Sequence, residues 1–231
     1  MIDYEADELC ESSNAAPRRR LFAQLAAMAR ALGHEHRLDL LEQLGQGERT
    51  VEALAKHSGL PFANTSQHLQ QLRRGGLVAT RRSGKHVLYR MSDDAVPELL
   101  AALRRVAERN LAEVQQLVAT HFTSRDNLEP VSREELLIRL RDDGVILLDV
   151  RPEGEFAAGH LPGALNVTPG QLDAAMQTLP RDREIVAYCR GAYCVLSFDA
   201  VEALRRNGFR ARRLEEGFPE WKAAGLAVEA G

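Results

Sequence analysis

Residues 50–91 place two short helical patterns directly before two short strand patterns, with a glycine at the end of each helix. Thr50 can cap the first helix and Gly59 can end it, while Pro61 opens a second helix that stops at Gly75. Two runs rich in β-branched, aromatic and long side chains follow, separated by a short turn, which is typical of a β-hairpin. The pattern therefore confines this part of the chain to helices followed by a two-stranded antiparallel ribbon.

Further helical patterns lie on both sides of this segment. Apolar residues recur at helical spacing from Leu21 to Leu44, with Gly33 and Gly45 as stops, and predict two helices. After the hairpin a single long helix is expected from about Asp93 to Ala119, because its apolar residues form one stripe. Such a stripe on a terminal helix suits the seam of a dimer.

The helix that begins at Pro61 has an apolar side and a polar side. Thr65, Leu69 and Leu72 recur at helical spacing and should pack inward. The polar side chains left outside can read base edges or bind phosphate, and they are Asn64, Ser66, Gln67, Gln70 and Gln71.

The hairpin after this helix is basic. From Arg73 to Arg90 the chain contains no acidic residue, and the hairpin itself contributes Arg81, Arg82 and Lys85. A charge run alone is usually a solvated face, but here it directly follows a helix suited to the major groove. The combination predicts a winged helix-turn-helix that binds double-stranded DNA.

With these residues in place, the chain resembles the ArsR/SmtB family of dimeric repressors, from about Leu21 to Leu117. The resemblance rests on Leu32, Gly33, His36, Arg37 and Leu38, on the runs 66–72 and 75–78, and on the hairpin residues Arg81, Arg82, Gly84, Lys85 and Tyr89. It implies a homodimer built partly on the first and last helices, which binds a palindromic operator and releases it on a chemical signal. The metal-sensing members carry a cysteine pair and an acid-and-histidine set that are missing here, so no metal site and no cofactor are expected.

The character of the chain changes halfway along its 231 residues. Basic side chains outnumber acidic ones over residues 12–125 and the reverse holds over residues 126–231, so only the first half is expected to meet a polyanion. In the second half short apolar strands, such as Val145–Val150 and Ile185–Tyr188, alternate with helices. This alternation predicts an α/β domain with a mostly parallel sheet.

The expected organisation is therefore multidomain. It consists of a flexible acidic tail over residues 1–17, a mainly-α winged helix-turn-helix domain for DNA binding and dimerisation over 18–122, a linker over 123–130 and an α/β domain over 131–231. The acidic N-terminus does not resemble an export signal, and no segment approaches the roughly 18 uninterrupted apolar residues of a membrane span. A cytoplasmic protein without a membrane partner is expected.

A cysteine loop in the second half has the features of a reactive site. The run Cys189–Cys194 follows a strand and leads straight into a helix that starts near Val195. Backbone N–H groups of a tight loop and the positive end of a helix both favour an anion, so the Cys189 thiolate should be stabilised and nucleophilic. Asp149 and Arg151 follow another strand and should lie at the same edge of the sheet.

This half of the chain resembles the rhodanese family, from about Val131 to Leu226. The resemblance rests on the runs 148–151, 155–156, 159–166 and 214–221 and on the Cys189 loop. It implies a sulfurtransferase chemistry in which Cys189 accepts a sulfane sulfur as a persulfide, Arg190 attracts an anionic donor and Cys194 closes the loop. The residues expected to support the loop are Asp149, Arg151, Glu155, Gly191, Ala192 and Tyr193.

Two comparisons with the family's pattern refine this expectation. Phosphate- and arsenate-handling relatives need one more loop residue and an arginine where this chain has Val195, so those chemistries are not favoured. Glu216 replaces the first glycine of the usual Gly-Gly pair, and Cys194 stands where Ser, Thr or Arg is commoner.

Three functions agree with this reading. The first is a regulator, a repressor by family analogy, that senses polysulfide, thiosulfate or a low-molecular-weight persulfide through Cys189, with Cys194 or Cys10 as a second thiol. The second is a sulfurtransferase enzyme attached to a DNA-binding domain without coupling between the two. The third, a rhodanese fold used only for binding, is disfavoured because the loop keeps its cysteine nucleophile.

Overall fold

The computed structural model describes residues 5–122, 130–141 and 144–230, with side chains described from residue 16 onward. The chain divides into two compact units. The first contains the described residues up to Leu41 together with Glu48–Asp93, and the second contains Glu42–Gly47 and the described residues from Asp94 onward. Residues 123–129, which make up most of the expected linker, lie outside the described residues.

The elements of the first unit are helices followed by an antiparallel hairpin. They are α1 (Glu5–Leu32), α2 (Glu35–Gly45, whose last turn belongs to the second unit), β1 (Arg49–Thr50), α3 (Val51–Ser58), α4 (Phe62–Arg74), β2 (Val78–Ser83) and β3 (His86–Met91). The three strands form an antiparallel sheet in the order β1-β3-β2. This arrangement is the predicted winged helix-turn-helix.

Local chemistry explains why the helices of the first unit begin and end where they do. The Thr50 hydroxyl accepts a hydrogen bond from the Ala53 N–H (3.3 Å) and caps α3, and Gly59 ends that helix with a left-handed φ of 68°. At the end of α4, a Cβ on Gly75 would come within 2.6 Å of the Ala31 Cβ, so α1 and α4 pack too closely there for a side chain. These boundaries confirm the sequence expectation.

The start of α1 differs from the expected flexible tail. The helix begins at Glu5 and runs through residues that had been assigned to the tail over 1–17. Alanine and glutamate each occur three times over residues 5–17, and both are strong helix formers. Their propensity explains why the acidic composition of the segment does not keep it from folding as a helix.

The single long helix expected after the hairpin is instead two helices. α5 (Ala95–Asn110) ends at Leu111, whose backbone is extended (φ −110°, ψ 109°), and α6 (Ala112–His121) follows. Side-chain amides satisfy carbonyls at the break: Asn110 donates to the Val106 carbonyl (2.8 Å) and Gln115 donates to that of Arg109 (3.1 Å). No glycine or proline marks the break, so periodicity alone could not reveal it.

The remainder of the second unit is an α/β fold. Its elements are α7 (Arg133–Arg141), β4 (Val145–Asp149), α8 (Glu153–Ala158), β5 (Leu165–Asn166), α9 (Leu172–Ala175), β6 (Glu184–Tyr188), α10 (Val195–Arg206), β7 (Ala211–Arg213) and α11 (Phe218–Ala223). The four strands are parallel and lie in the order β5-β4-β6-β7, as the alternation of strands and helices predicts. All five residues of β4 are buried, as expected for a central parallel strand.

The register of the central strands positions the functional loops. Asp149 at the end of β4 pairs with Tyr188 at the end of β6, so the segments that follow them leave the sheet side by side. Within the described part of the chain, no helix is both long enough and apolar enough to cross a membrane.

Candidate functional site

The cysteine loop joins β6 to α10, and its two cysteines are bonded to each other. Cys189 and Cys194 form a disulfide with their Cα atoms 6.1 Å apart, and both side chains are buried. The pair that the sequence places five positions apart therefore meets within one loop. The side chain of Cys10, the other candidate partner, lies outside the described side chains.

Backbone hydrogen bonds hold the loop at both ends. The Phe218 N–H donates to the carbonyl of Cys189 (3.1 Å), and the Cys194 N–H donates to the carbonyl of Gly191 (3.1 Å). Cys194 is also the N-cap residue of α10, and its carbonyl accepts from the Ser197 hydroxyl (2.9 Å). Cys194 thus stands at the N-terminal end of a helix, whose dipole is positive there.

Asp149 and Arg151 form a buried ion pair beside this loop. The Arg151 Nε lies 3.0 Å from Asp149 Oδ1, and its Nη2 lies 2.6 Å from Oδ2. The guanidinium also donates to the Gly159 carbonyl (2.7 Å) and lies over the Phe218 ring (4.3 Å to the centroid). Neither residue is exposed, so the charge of each is compensated within the protein rather than by solvent.

Arg190 of the loop forms a second pair with Glu155 of α8. The Arg190 Nε and Nη2 donate to the two Glu155 carboxylate oxygens at 2.9 and 2.8 Å. This two-point contact raises the pKa of the Arg190 guanidinium, chiefly through hydrogen bonding to Glu155. The charge expected to attract an anionic donor is therefore already shared with a carboxylate.

Tyr193, directly before Cys194, is held by residues outside the loop. Its hydroxyl donates to the Glu108 carboxylate of α5, and its ring packs against Phe122 (5.0 Å between centroids). Burial and the bond to Glu108 raise the pKa of Tyr193. Ala192 is half-buried, and Gly191 contributes its carbonyl, which accepts from the Cys194 N–H.

Gln46 is a site residue that sequence reasoning missed. It lies in the turn after α2, within the second unit, and only 2% of it is exposed. Its Nε2 donates to the Arg190 carbonyl (3.3 Å), and its Oε1 accepts from Arg151 Nη1 (3.2 Å). One amide side chain thus joins the segment after β4 to the cysteine loop. The feature that identifies Gln46 as a site residue is its burial, and the sequence does not show which glutamines are buried.

Gly217 and Glu216 lie where the family's glycine pair is expected. A Cβ on Gly217 would come within 2.4 Å of the Arg190 carbonyl carbon and the Gly191 nitrogen, so a glycine is needed there for the close approach to the loop. Glu216 replaces the other glycine and lies 3.2 Å from the Arg133 guanidinium. Burial nevertheless raises the pKa of the Glu216 carboxyl.

The predicted DNA-contacting residues lie on α4 and on the hairpin. Thr65, Leu69 and Leu72 are fully buried, as expected for the inner side of α4. On its outer side Asn64, Gln67 and Gln70 are exposed, whereas Ser66 and Gln71 are half-buried. On the hairpin, Arg81, Arg82 and Lys85 are exposed to solvent.

One of these basic side chains is already paired within the protein. Arg81 is paired with Glu48, its Nε lying 2.5 Å from Glu48 Oε2. In the described part of the chain no group of three or more histidine, cysteine or acidic side chains is arranged to hold a metal ion.

Comparison with known proteins assigns both halves. Residues 32–81 match a helix-turn-helix domain family and residues 132–224 match the rhodanese-like domain family. Over 211 residues, covering 91% of this chain and 92% of the relative, the chain is 43% identical to the HTH-type transcriptional regulator Rv0324 of Mycobacterium tuberculosis.

Other relatives match one half each. The chain is 33% identical over 102 residues (43% of this chain, 94% of the relative) to a sulfurtransferase of Allochromatium vinosum. It is 34% identical over 84 residues (36% of this chain, 62% of the relative) to the HTH-type transcriptional repressor SmtB of M. tuberculosis. The protein therefore belongs to the HTH-type transcriptional regulators that join an ArsR/SmtB-like winged helix-turn-helix domain to a C-terminal rhodanese-like domain.

Proposed function

We propose that this regulator senses reactive sulfur, with Cys189 as the residue that takes up sulfane sulfur and Cys194 as the thiol that completes a disulfide. The observation that carries the proposal is the pairing of these two cysteines within one loop, at the start of α10. A rhodanese chemistry needs only the first thiol. The second thiol allows the persulfide to be converted into a disulfide within the protein.

The reaction needs no oxidant besides the sulfane sulfur of the donor. The Cys189 thiolate attacks a sulfane sulfur of a polysulfide, the S–S bond of the donor breaks, and the shortened polysulfide leaves as an anion. The Cys194 thiolate then attacks Sγ of the Cys189 persulfide, so that the Cys189–Cys194 bond forms and hydrosulfide leaves. Two thiols are oxidised to a disulfide, and one sulfane sulfur is reduced to sulfide.

The environment of the loop supports both steps. Cys194 at the N-terminus of α10 gains thiolate character from the helix, which matters for the second attack. Because Arg190 is engaged with Glu155, an anionic donor would be attracted by the backbone N–H groups of the loop and the positive end of α10 rather than by a free arginine. Polysulfide, thiosulfate and low-molecular-weight persulfides all meet these requirements.

The output of the sensor is DNA binding by a homodimer. The exposed amides of α4 and the exposed cations of the hairpin are the groups that would meet an operator, and the disulfide state is proposed to release it. Repression, rather than activation, follows the ArsR/SmtB-like character of the first domain.

The test compares reduced and polysulfide-treated protein on DNA. A duplex would first be selected from a random pool by the reduced protein, and its Kd would then be measured before and after treatment, with intact-mass analysis of the same samples. We expect treatment to weaken binding about tenfold or more, the size of a typical allosteric effect. Cys189→Ser should abolish the response, whereas the matched variant Cys10→Ser should leave it intact.

Two results would contradict the proposal. Operator release by Cys189→Ser equal to that of the wild type would exclude Cys189 as the sensor. Sulfur uptake at Cys189 with unchanged DNA affinity in the wild type would instead indicate an uncoupled sulfurtransferase, and robust turnover of thiosulfate with cyanide would then be expected.

A further inference from the structure

Two polar side chains of α5 contact the cysteine loop. Glu108 accepts the hydrogen bond from the Tyr193 hydroxyl, and Arg104 lies with its guanidinium 5.7 Å from the centre of the Tyr193 ring. Arg104 and Glu108 are one helical turn apart and are paired to each other at 3.9 Å. Both are partly shielded from solvent, with side-chain exposures of 20% and 35%. Arg104 and Glu108 are therefore two charged side chains that both contact Tyr193, the residue before Cys194.

The same arginine also reaches the segment that supports the other end of the loop. Arg104 Nη1 lies 3.3 Å from Glu220 Oε1 in α11. The other carboxylate oxygen of Glu220 accepts from the Gly217 N–H (3.1 Å), next to Phe218, whose N–H binds the Cys189 carbonyl. α5 is therefore linked to both cysteines of the loop, to Cys194 through Tyr193 and to Cys189 through α11.

The opposite side of α5 is apolar and exposed. Leu99, Leu103 and Val106 are 41%, 45% and 59% exposed, and at 100° per residue they lie across the helix from Arg104 and Glu108. In the chain, α5 follows almost directly after β3, a strand of the DNA-binding hairpin. A movement or a loosening of α5 would therefore change the position of this apolar face. It would also affect the short segment that connects β3 to α5.

We propose that Glu108, assisted by Arg104, transmits the sulfur state of the loop to α5. This inference rests on the proposed function, since it names the route by which that sensor would act. The disulfide ties Cys194 to Cys189 and so fixes the backbone that carries Tyr193. When the bond opens, Cys194 and Tyr193 gain freedom, and the hydrogen bond from the Tyr193 hydroxyl to Glu108 is the contact of α5 that must respond first.

The variants that test this route remove or retain one acceptor. Glu108→Ala removes the acceptor of the Tyr193 hydroxyl, whereas Glu108→Gln keeps an acceptor of the same length. Glu98→Ala is the matched control, because Glu98 is an exposed acidic residue on the same helix. All variants would be made in the full chain, and intact mass would verify that Cys189 still takes up sulfur from polysulfide.

Two readouts separate this inference from the function on which it rests. The first is hydrogen–deuterium exchange of backbone amides in residues 104–110, in the dithiol and disulfide states. The second is the ratio of the Kd values of the two states for the selected DNA. We expect the exchange difference and the Kd ratio of the wild type to be lost in Glu108→Ala, restored in Glu108→Gln and unchanged in Glu98→Ala.

Each outcome decides one of the two proposals. An exchange difference in Glu108→Ala equal to that of the wild type, or no difference in the wild type itself, would overturn the route through Glu108. A difference that depends on Glu108, with DNA affinity insensitive to the sulfur state, would support the route while contradicting the sensor function. A general loss of stability would not be rescued selectively by Glu108→Gln.

Discussion

Cys189 and Cys194 occupy different backbone positions, and this assigns them different steps. Cys189 directly follows the buried strand β6 and has its carbonyl held by the Phe218 N–H, whereas Cys194 is the N-cap residue of α10. In Cys194→Ser the second attack cannot occur, so we expect the Cys189 persulfide to accumulate after polysulfide treatment instead of the disulfide. Mass spectrometry of alkylated protein would show one added sulfur on the peptide that contains Cys189.

The control for this prediction is Cys10→Ser, which retains both loop cysteines and should still form the disulfide. A disulfide between Cys189 and Cys10 in Cys194→Ser would show that the loop pair is not the sole route. Absence of added sulfur in Cys194→Ser would mean that Cys194, not Cys189, is the first nucleophile.

Glu216 makes stability depend on pH. Burial raises its pKa above the ordinary value of 4.5 despite the nearby Arg133, and repulsion by Glu220 and Glu215 adds to the shift. A carboxyl whose pKa is raised by folding stabilises the folded state fully below its unfolded pKa, and this contribution is lost as the pH rises through the folded value.

Glu216→Gln should therefore match the wild type near pH 4 and become the more stable protein toward pH 7, by less than about 1 kcal/mol. Thermal unfolding across this pH range measures the difference. A variant that is less stable than the wild type at neutral pH would show that the ion pair with Arg133 outweighs the cost of burial. Glu113→Gln is the matched control, because Glu113 is an exposed acidic residue of α6.

At the scale of elements, α4 and the hairpin should contribute differently to DNA affinity. Arg82 is exposed on the hairpin, where a cation would bind phosphate rather than read a base. We expect Arg82→Ala to weaken binding to specific and non-specific duplexes alike and to reduce the slope of log K against log salt concentration by about one.

Binding titrations at several salt concentrations test this expectation. Arg206→Ala removes the same charge from an exposed position on α10 and should change neither the affinity nor the slope. An effect of Arg82→Ala confined to the selected sequence would instead identify Arg82 as a base-reading residue.

The helices and strands differ in how far the sequence predicts their ends. Elements bounded by glycine or by a capping side chain were predicted closely, as Thr50 and Gly59 show for α3, because these signals act within one turn of the chain. The loop that holds Cys189 was predicted from its position between a strand and a helix. The break at Leu111 was not predicted, because no glycine or proline marks it, and the role of Gln46 was not, because its partners Arg151 and Arg190 are distant in the chain.

For the whole molecule, each unit exposes an apolar stripe that a monomer would leave in water. On α1, Leu21, Phe22 and Leu25 are more than half exposed, and α5 carries the exposed stripe of Leu99, Leu103 and Val106. Large apolar patches on a protein surface commonly mark an interaction site. Together with the ArsR/SmtB-like character of the first domain, they favour a second copy of the chain as the partner.

Val106→Glu tests this assembly, because it places a charge in the α5 stripe at its most exposed side chain, which is 59% exposed. A monomer should tolerate the change, whereas a dimer that buries this face should dissociate, since an unpaired charge in an interface costs several kcal/mol. We expect sedimentation velocity to show a dimer for the wild type, a monomer for Val106→Glu, and a dimer for the control Arg105→Glu at the exposed neighbouring position. When the dimer is lost, the affinity for a palindromic operator should fall, because two linked half-site contacts become one. A dimeric Val106→Glu protein with unchanged DNA affinity would place the interface elsewhere and would leave α5 linked to the sulfur loop without a role in assembly.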